Sequence, residues 1–461
     1  MNASILPVLA VLTLAAVSVF FGGLEGAGVV AISAAFLVAF AAILFRRSMA
    51  VSGPIRNRRT EDDTHFLWML ILTGTALRVA LALAMRSTGA NTPIAPDEYT
   101  FHDNGLYFSA WMRGEVPQPF GYKWTGSTQV GYFALVGLIY GTFGEYQILP
   151  VLMNCLLGGL CAYPAYLIAA RVAGRGAGRG AALLVTLFPS LTLWSALLIR
   201  DACVLFFLLW SACLAQSLMS KFKLRNVLGL LVCLAALATL RSYLLALMAG
   251  AIVVALLVAS MRRPGHAIIT ALVCGAAVLV LMKASGLGTD YFGDASLRSL
   301  ALRRQYNAIG GEGSIAVEGY DLSTPLGALT YLPVGLAWFL LSPFPWQYAG
   351  RQGFAIPEVL FWYVCLPLVL TGAIYALRRR RRQALVPLLA GLLITLLYSL
   401  VEGNVGIIFR HRAQALALLL PFAAIGWARR KAKERLRRRH AKTDAWRTDR
   451  ATRPLPAPAP V

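Results

Sequence analysis

Apolar runs of about 17–25 residues recur along the chain, each long enough for a helix to cross a hydrocarbon core. Candidate spans fall near 5–21, 28–45, 66–85, 147–170, 180–198, 202–219, 226–240, 242–260, 267–283, 357–377, 384–401 and 413–428. Two further apolar segments, 130–143 and 327–342, fit either a crossing or a helix lying at the membrane surface. Only the end of the chain holds a polar stretch long enough to matter, so a soluble multidomain protein is excluded. The expected fold is all-α, a polytopic transmembrane helical bundle.

Composition agrees with the pattern: 58% of the residues are hydrophobic, only 14% are charged, and the mean hydropathy is +0.66. The first apolar run lacks the basic n-region of a signal peptide and reads as a retained span. Cys155, Cys161, Cys203, Cys213, Cys233, Cys274 and Cys365 all lie in apolar runs without CxxC spacing, which points to core packing rather than disulfides or a zinc site.

The net charge of +23 invites a nucleic-acid reading, but its distribution argues for a membrane. Basic clusters at 46–59, 171–179, 221–225, 262–263, 378–382 and from Arg429 onward hold 30 of the 43 Lys and Arg, and only six of the 20 acids fall on the same side as these clusters, Glu61, Asp62, Asp63, Glu434, Asp444 and Asp449. If 130–143 and 327–342 do not cross, every cluster faces the cytoplasm, as the positive-inside rule requires. About twelve spans result, with both termini inside and two interfacial helices at the outer face. The expected organisation is an N-terminal hairpin (1–45), a cytoplasmic loop (46–65), a membrane domain (66–428) with outer loops 86–129 and 284–326, and a basic tail (429–461). The tail's charge suits anionic lipid rather than nucleic acid.

The residues that could carry chemistry stand out because charge is scarce. The stretch PDEYTFHDNGLYFSAWMRGE, residues 96–115, places Asp97, Glu98, His102 and Asp103 just beyond a span, among aromatic residues suited to a sugar face or an interface. Adjacent carboxylates repel, which favours one of them as a base. Arg200-Asp201 sits at a tight outer turn between two spans, and Arg78 lies within a span, where an internal partner or a phosphate would compensate its burial. In the last outer loop, EGNVGIIFRHR, Arg410, His411 and Arg412 cluster beside Glu402 and suit a phosphate or pyrophosphate. Lys123 and Arg241 are weaker phosphate candidates. Each charge has a plainer alternative as a turn residue, headgroup anchor or local ion pair. No cofactor is expected as certain. The quartet Asp97, Glu98, His102 and Asp103 could hold a hard divalent ion, though its spacing specifies none. No phosphate-binding GxxxxGK[ST] loop occurs, which argues against ATP-driven transport.

Five features run in order: an Arg-bearing span, a loop with the Asp97-Glu98 pair, a short amphipathic stretch ending in FGEYQ, a span ending at an Arg-rich turn, and FPS…W…RDA at the next outer turn. Over about residues 66–220, continuing weakly in the RxR of the last loop, this resembles the GT-C superfamily of membrane glycosyltransferases. The likeness is to family 39, the protein mannosyltransferase and aminoarabinose transferase branch. It implies a GT-C-like bundle, a polyprenyl-phosphate sugar donor and an acceptor at the outer face. It also implies that Asp97, with Glu98 beside it, is the catalytic carboxylate, and that Asp201 matches a second functional Asp. The family's Lys-Pro-Pro-like element is missing, since that region reads TGSTQVGYF. Lys123 is the candidate substitute.

The reading is a glycosyltransferase of the inner (plasma) membrane, acting at its periplasmic or extracellular side on a glycan, lipid or protein hydroxyl. Asp97, Glu98 and Asp201 would be catalytic. Arg78, His102, Asp103, Lys123, Arg200, Arg410 and Arg412 would bind substrate. Two alternatives are a glycan polymerase or ligase with a lipid-diphosphate donor, which would not need the Asp97-Glu98 pair, and a lipid-glycan transporter or flippase without chemistry.

Overall fold

A computed structural model describes residues 58–116, 129–259, 297–308, 315, 320–344 and 355–452. The expected spans 5–21, 28–45 and 267–283, most of loop 284–326, and Lys123 lie outside the described residues. Among those described, the secondary structure is helical, without a β-strand.

The helices follow the apolar runs. They are α1 (Arg58–Thr88), α2 (Asn91–Ile94), α3 (Glu98–Met112), α4 (Val130–Phe143), α5 (Ile148–Leu160), α6 (Ala162–Ala173), α7 (Arg175–Leu187) and α8 (Pro189–Trp194). Then come α9 (Asp201–Leu218), α10 (Leu224–Leu240), α11 (Ser242–Ala259), α12 (Leu297–Ala308), α13 (Pro325–Leu341), α14 (Ile356–Val401) and α15 (Val405–Thr452). Among the described residues, six stretches are long and apolar enough to cross a membrane: 63–88, 148–173, 201–218, 242–259, 356–401 and 405–438. The segments 130–143 and 327–342 form the shorter apolar helices α4 and α13, and the expected span 226–240 falls in a third such helix, the 17-residue α10, rather than in one of the six.

Two departures from the expected spans have physical causes. The run 180–198 is not one helix. Phe188 is extended (φ −64°, ψ 128°), as a residue before proline prefers, and Pro189 starts the short α8. Residues 195–200 then form an irregular turn. The runs 357–377 and 384–401 share the single element α14, but Arg380 (φ −141°, ψ 43°) breaks its helical geometry inside the five-Arg cluster. Unbroken, 46 residues would extend about 69 Å, over twice a hydrocarbon core.

Buried apolar side chains from α1, α3–α11 and α13–α15 form the main core, and a smaller second cluster around Ile71 and Tyr163 joins α1, α5, α6 and α7. Small residues allow close helix approach, as is common in membrane bundles. A Cβ on Gly372 of α14 would overlap the Phe422 carbonyl oxygen of α15. At one end of the bundle Asp63 of α1 ties down α7: it accepts from Arg179 Nε at 2.7 Å and from Arg175, and Tyr166 of α6 adds a bond at 2.8 Å. The six described cysteines are all buried and unbridged.

Candidate functional site

The first long loop enters through Pro96 and a turn at Asp97, and α3 begins at Glu98. The two adjacent acids go to different places. Glu98 is buried, accepting from the Leu198 backbone N–H at 2.6 Å and from Asn91 Nδ2 at 2.7 Å, with Arg86 at 3.6 Å. It therefore fastens the start of α3 to the turn 195–200. Asp97 remains 53% exposed and meets Arg410 Nη1 at 2.6 Å.

Asp201 is the first residue of α9, where helix-end N–H groups favour a carboxylate. Its side chain is 3% exposed. Oδ2 accepts from Arg410 Nε at 3.0 Å and Nη2 at 2.7 Å, and Oδ1 accepts from Arg241 Nη2 at 3.1 Å. Arg410 thus links Asp97 to Asp201, joining residues remote in sequence. Its guanidinium also lies 5.7 Å from the centroid of the Trp194 ring on α8.

Behind Asp201 the polar chain continues inward. Arg241 Nη1 donates to Tyr243 Oη at 2.6 Å and contacts His411 Nε2 at 2.8 Å and Tyr398 Oη at 3.4 Å. Guanidinium can only donate, so His411 Nε2 accepts and its Nδ1–H donates to Glu402 Oε1 at 2.8 Å. That bond fixes a neutral imidazole tautomer. The ring stacks on Tyr398 at 4.7 Å, and Tyr398 Oη donates to Gln414 Oε1 at 2.6 Å. Arg200 Nη1 donates to the Leu240 carbonyl at 2.8 Å. Burial, with repulsion from Arg241, pulls its pKa down to about 10, so it stays cationic at neutral pH.

The other expected site residues lie apart from this network. Arg78 is fully buried, but its Nε donates to Ser195 Oγ at 2.7 Å and its Nη1 to the Gly74 carbonyl at 2.9 Å, so its partners are neutral protein groups rather than a carboxylate. Arg412 is also buried and faces elsewhere: Nη1 donates to the Ser342 carbonyl at 2.5 Å, and Nη2 stands 4.0 Å from Glu358 Oε1. Glu358 accepts from the Ser190 N–H at 2.5 Å. His102 Nδ1 bonds Tyr140 Oη at 2.9 Å, and Asp103 is exposed. Among the described residues no three His, Cys, Asp or Glu side chains gather as a metal site, and the quartet considered from sequence is dispersed in this way.

Arg241, a weaker phosphate candidate from sequence, belongs to the site, as do His411 and Glu402, which sequence placed beside Arg410 without a role of their own. Their signal was charge or imidazole at the edge of an apolar run. Tyr243 and Tyr398 carried none. Arg304 of α12 closes one side, donating Nη1 to the Glu402 carbonyl at 2.5 Å and to that of Leu400 at 3.3 Å.

An accessible carboxylate, a shared guanidinium and a buried second carboxylate can accept a proton and neutralise an anion in one place. No protein-family model matches the chain, and no characterised protein matches it at a significant level.

Proposed function

We propose that the protein transfers a sugar from a polyprenyl-phosphate donor to an acceptor hydroxyl at the extracytoplasmic face of the membrane. One observation carries the reading: Asp97, the exposed member of the network, shares Arg410 with the buried Asp201. The likeness to family 39 membrane glycosyltransferases supports it, as do the six stretches among the described residues that are long and apolar enough to cross a membrane.

In this reading the acceptor hydroxyl oxygen attacks the anomeric carbon as Asp97 takes its proton. The bond from that carbon to the phosphate oxygen breaks, and the lipid phosphate leaves with the electron pair. Arg410 stabilises that charge. Configuration inverts, because attack and departure occupy opposite faces. Asp201 is a positioning residue: held by Arg241, it fixes the plane of Arg410. Glu98 positions the Asp97 backbone, and Arg78 and Arg412 serve the bundle rather than the phosphate.

The test is donor dependence. Purified protein in nanodiscs receives radiolabelled sugar either on polyprenyl phosphate or on a soluble nucleotide, with sugar, lipid and peptide hydroxyls as acceptors. Label should move only from the lipid-linked donor. Transfer from the nucleotide sugar, or none from the lipid donor to any acceptor, would sink the proposal.

A further inference from the structure

Asp97 and the lipid phosphate cannot use Arg410 in the same way at once. Arg410 spends Nε and Nη2 on Asp201 and Nη1 on Asp97. The two carboxylates are held very differently. Asp201 is 3% exposed and has a second guanidinium, Arg241, on its other oxygen. Asp97 is 53% exposed and reaches the network through one contact. An exposed single ion pair competes with water and is weak in net terms. A phosphate brings more charge and several acceptor oxygens, which a guanidinium binds strongly.

We infer that the Nη1 side of Arg410 is the subsite for an anionic substrate oxygen, and that Asp97 occupies it as a placeholder until that oxygen arrives. This rests on the donor reading above. It also settles how one residue can be both paired and reactive. The Asp97 oxygen that accepts from Arg410 is spoken for and cannot take a substrate proton. Arrival of the phosphate releases it, so both oxygens of Asp97 become available to a substrate proton when the leaving group is in place. The backbone need not move. Glu98, buried and bonded to Leu198 N–H and Asn91, holds the start of α3, and only the Asp97 side chain swings.

Binding of farnesyl phosphate to the full-length protein, with farnesol as the uncharged control, tests this by calorimetry in detergent. Asp97→Asn and Asp97→Ala should each bind the phosphate about two- to fivefold tighter than wild type, having lost an exposed ion-pair competitor. Asp201→Asn should bind it more weakly, because Arg410 loses its mount. Glu115→Gln removes a carboxylate paired with Arg113, 2.7 Å away, and should leave affinity unchanged. Suppose wild type prefers phosphate over alcohol, but both Asp97 variants bind no tighter, or Glu115→Gln gains as much. The placeholder is then overturned and the donor reading stands. No preference for farnesyl phosphate over farnesol in any of these proteins overturns the donor reading, and the placeholder with it.

Discussion

Asp201 is the residue on which the polar network depends most. It neutralises Arg410 of α15 and Arg241 beside α11 from a position almost closed to solvent. Removing its charge would leave two guanidiniums facing each other, and breaking a buried pair in this way costs about 3–5 kcal/mol. Asp201→Asn is expected to lower the thermal midpoint in detergent clearly, whereas Asp97→Asn, at an exposed pair, should shift stability by about 0–1 kcal/mol. An Asp201→Asn protein as stable as wild type would contradict the arrangement. Asp97, Asp201 and Arg410 were legible in the sequence because ionisable groups are rare in an apolar chain. Tyr243 and Tyr398 were not, since a tyrosine within an apolar run looks like any other core residue. Arg412 was grouped with Arg410 because residues 410–412 were expected in a loop. They lie instead on α15, which starts at Val405. Two positions apart on a helix is about 200° of rotation, so the two side chains face opposite sides.

At the scale of elements, breaks in helices build the site. Pro189 ends α7 and lets residues 195–200 fold as an irregular turn, where Leu198 N–H meets Glu98 and Ser195 meets Arg78. A hydropathy pattern reads that stretch as one span because its residues are apolar. The proline was visible; the turn's partners were not, for they come from α1 and α3. Arg304 supplies another link. It takes the Leu400 and Glu402 carbonyls at the end of α14, while the Ile315 N–H bonds the Gly403 carbonyl at 2.8 Å. Arg304→Gln is therefore expected to speed hydrogen exchange in 297–308 and at 400–403 several-fold, with exchange in α5 and α9 unchanged. Equal exchange at 297–308 in the variant would mean that Arg304 does not anchor α12.

For the whole molecule, the decisive pattern is the segregation of charge. Exposed Arg378–Arg382, Lys221 and the basic first turns beyond Trp427 contrast with the acid-bearing first loop. The apolar runs and basic clusters that suggest a membrane bundle were fully legible. The number of crossings was less so, because Pro189, Arg380 and the short α4 and α13 interrupt the simple relation between an apolar run and a span. The proposed orientation makes a direct prediction. A cysteine at Tyr99, which is 60% exposed, should react with an impermeant maleimide from outside intact cells, and one at Phe222, 79% exposed, only after permeabilisation. The reverse pattern would put the candidate site on the cytoplasmic side and remove the lipid-linked donor's advantage. Chemistry itself is tested most directly by the single-turnover rate of sugar transfer from a polyprenyl-phosphate donor in purified wild type and Asp97→Asn. With Asp97 as the proton acceptor, the variant should be slower by about 10²–10⁴-fold while still binding donor. An unchanged rate would contradict the account at its centre.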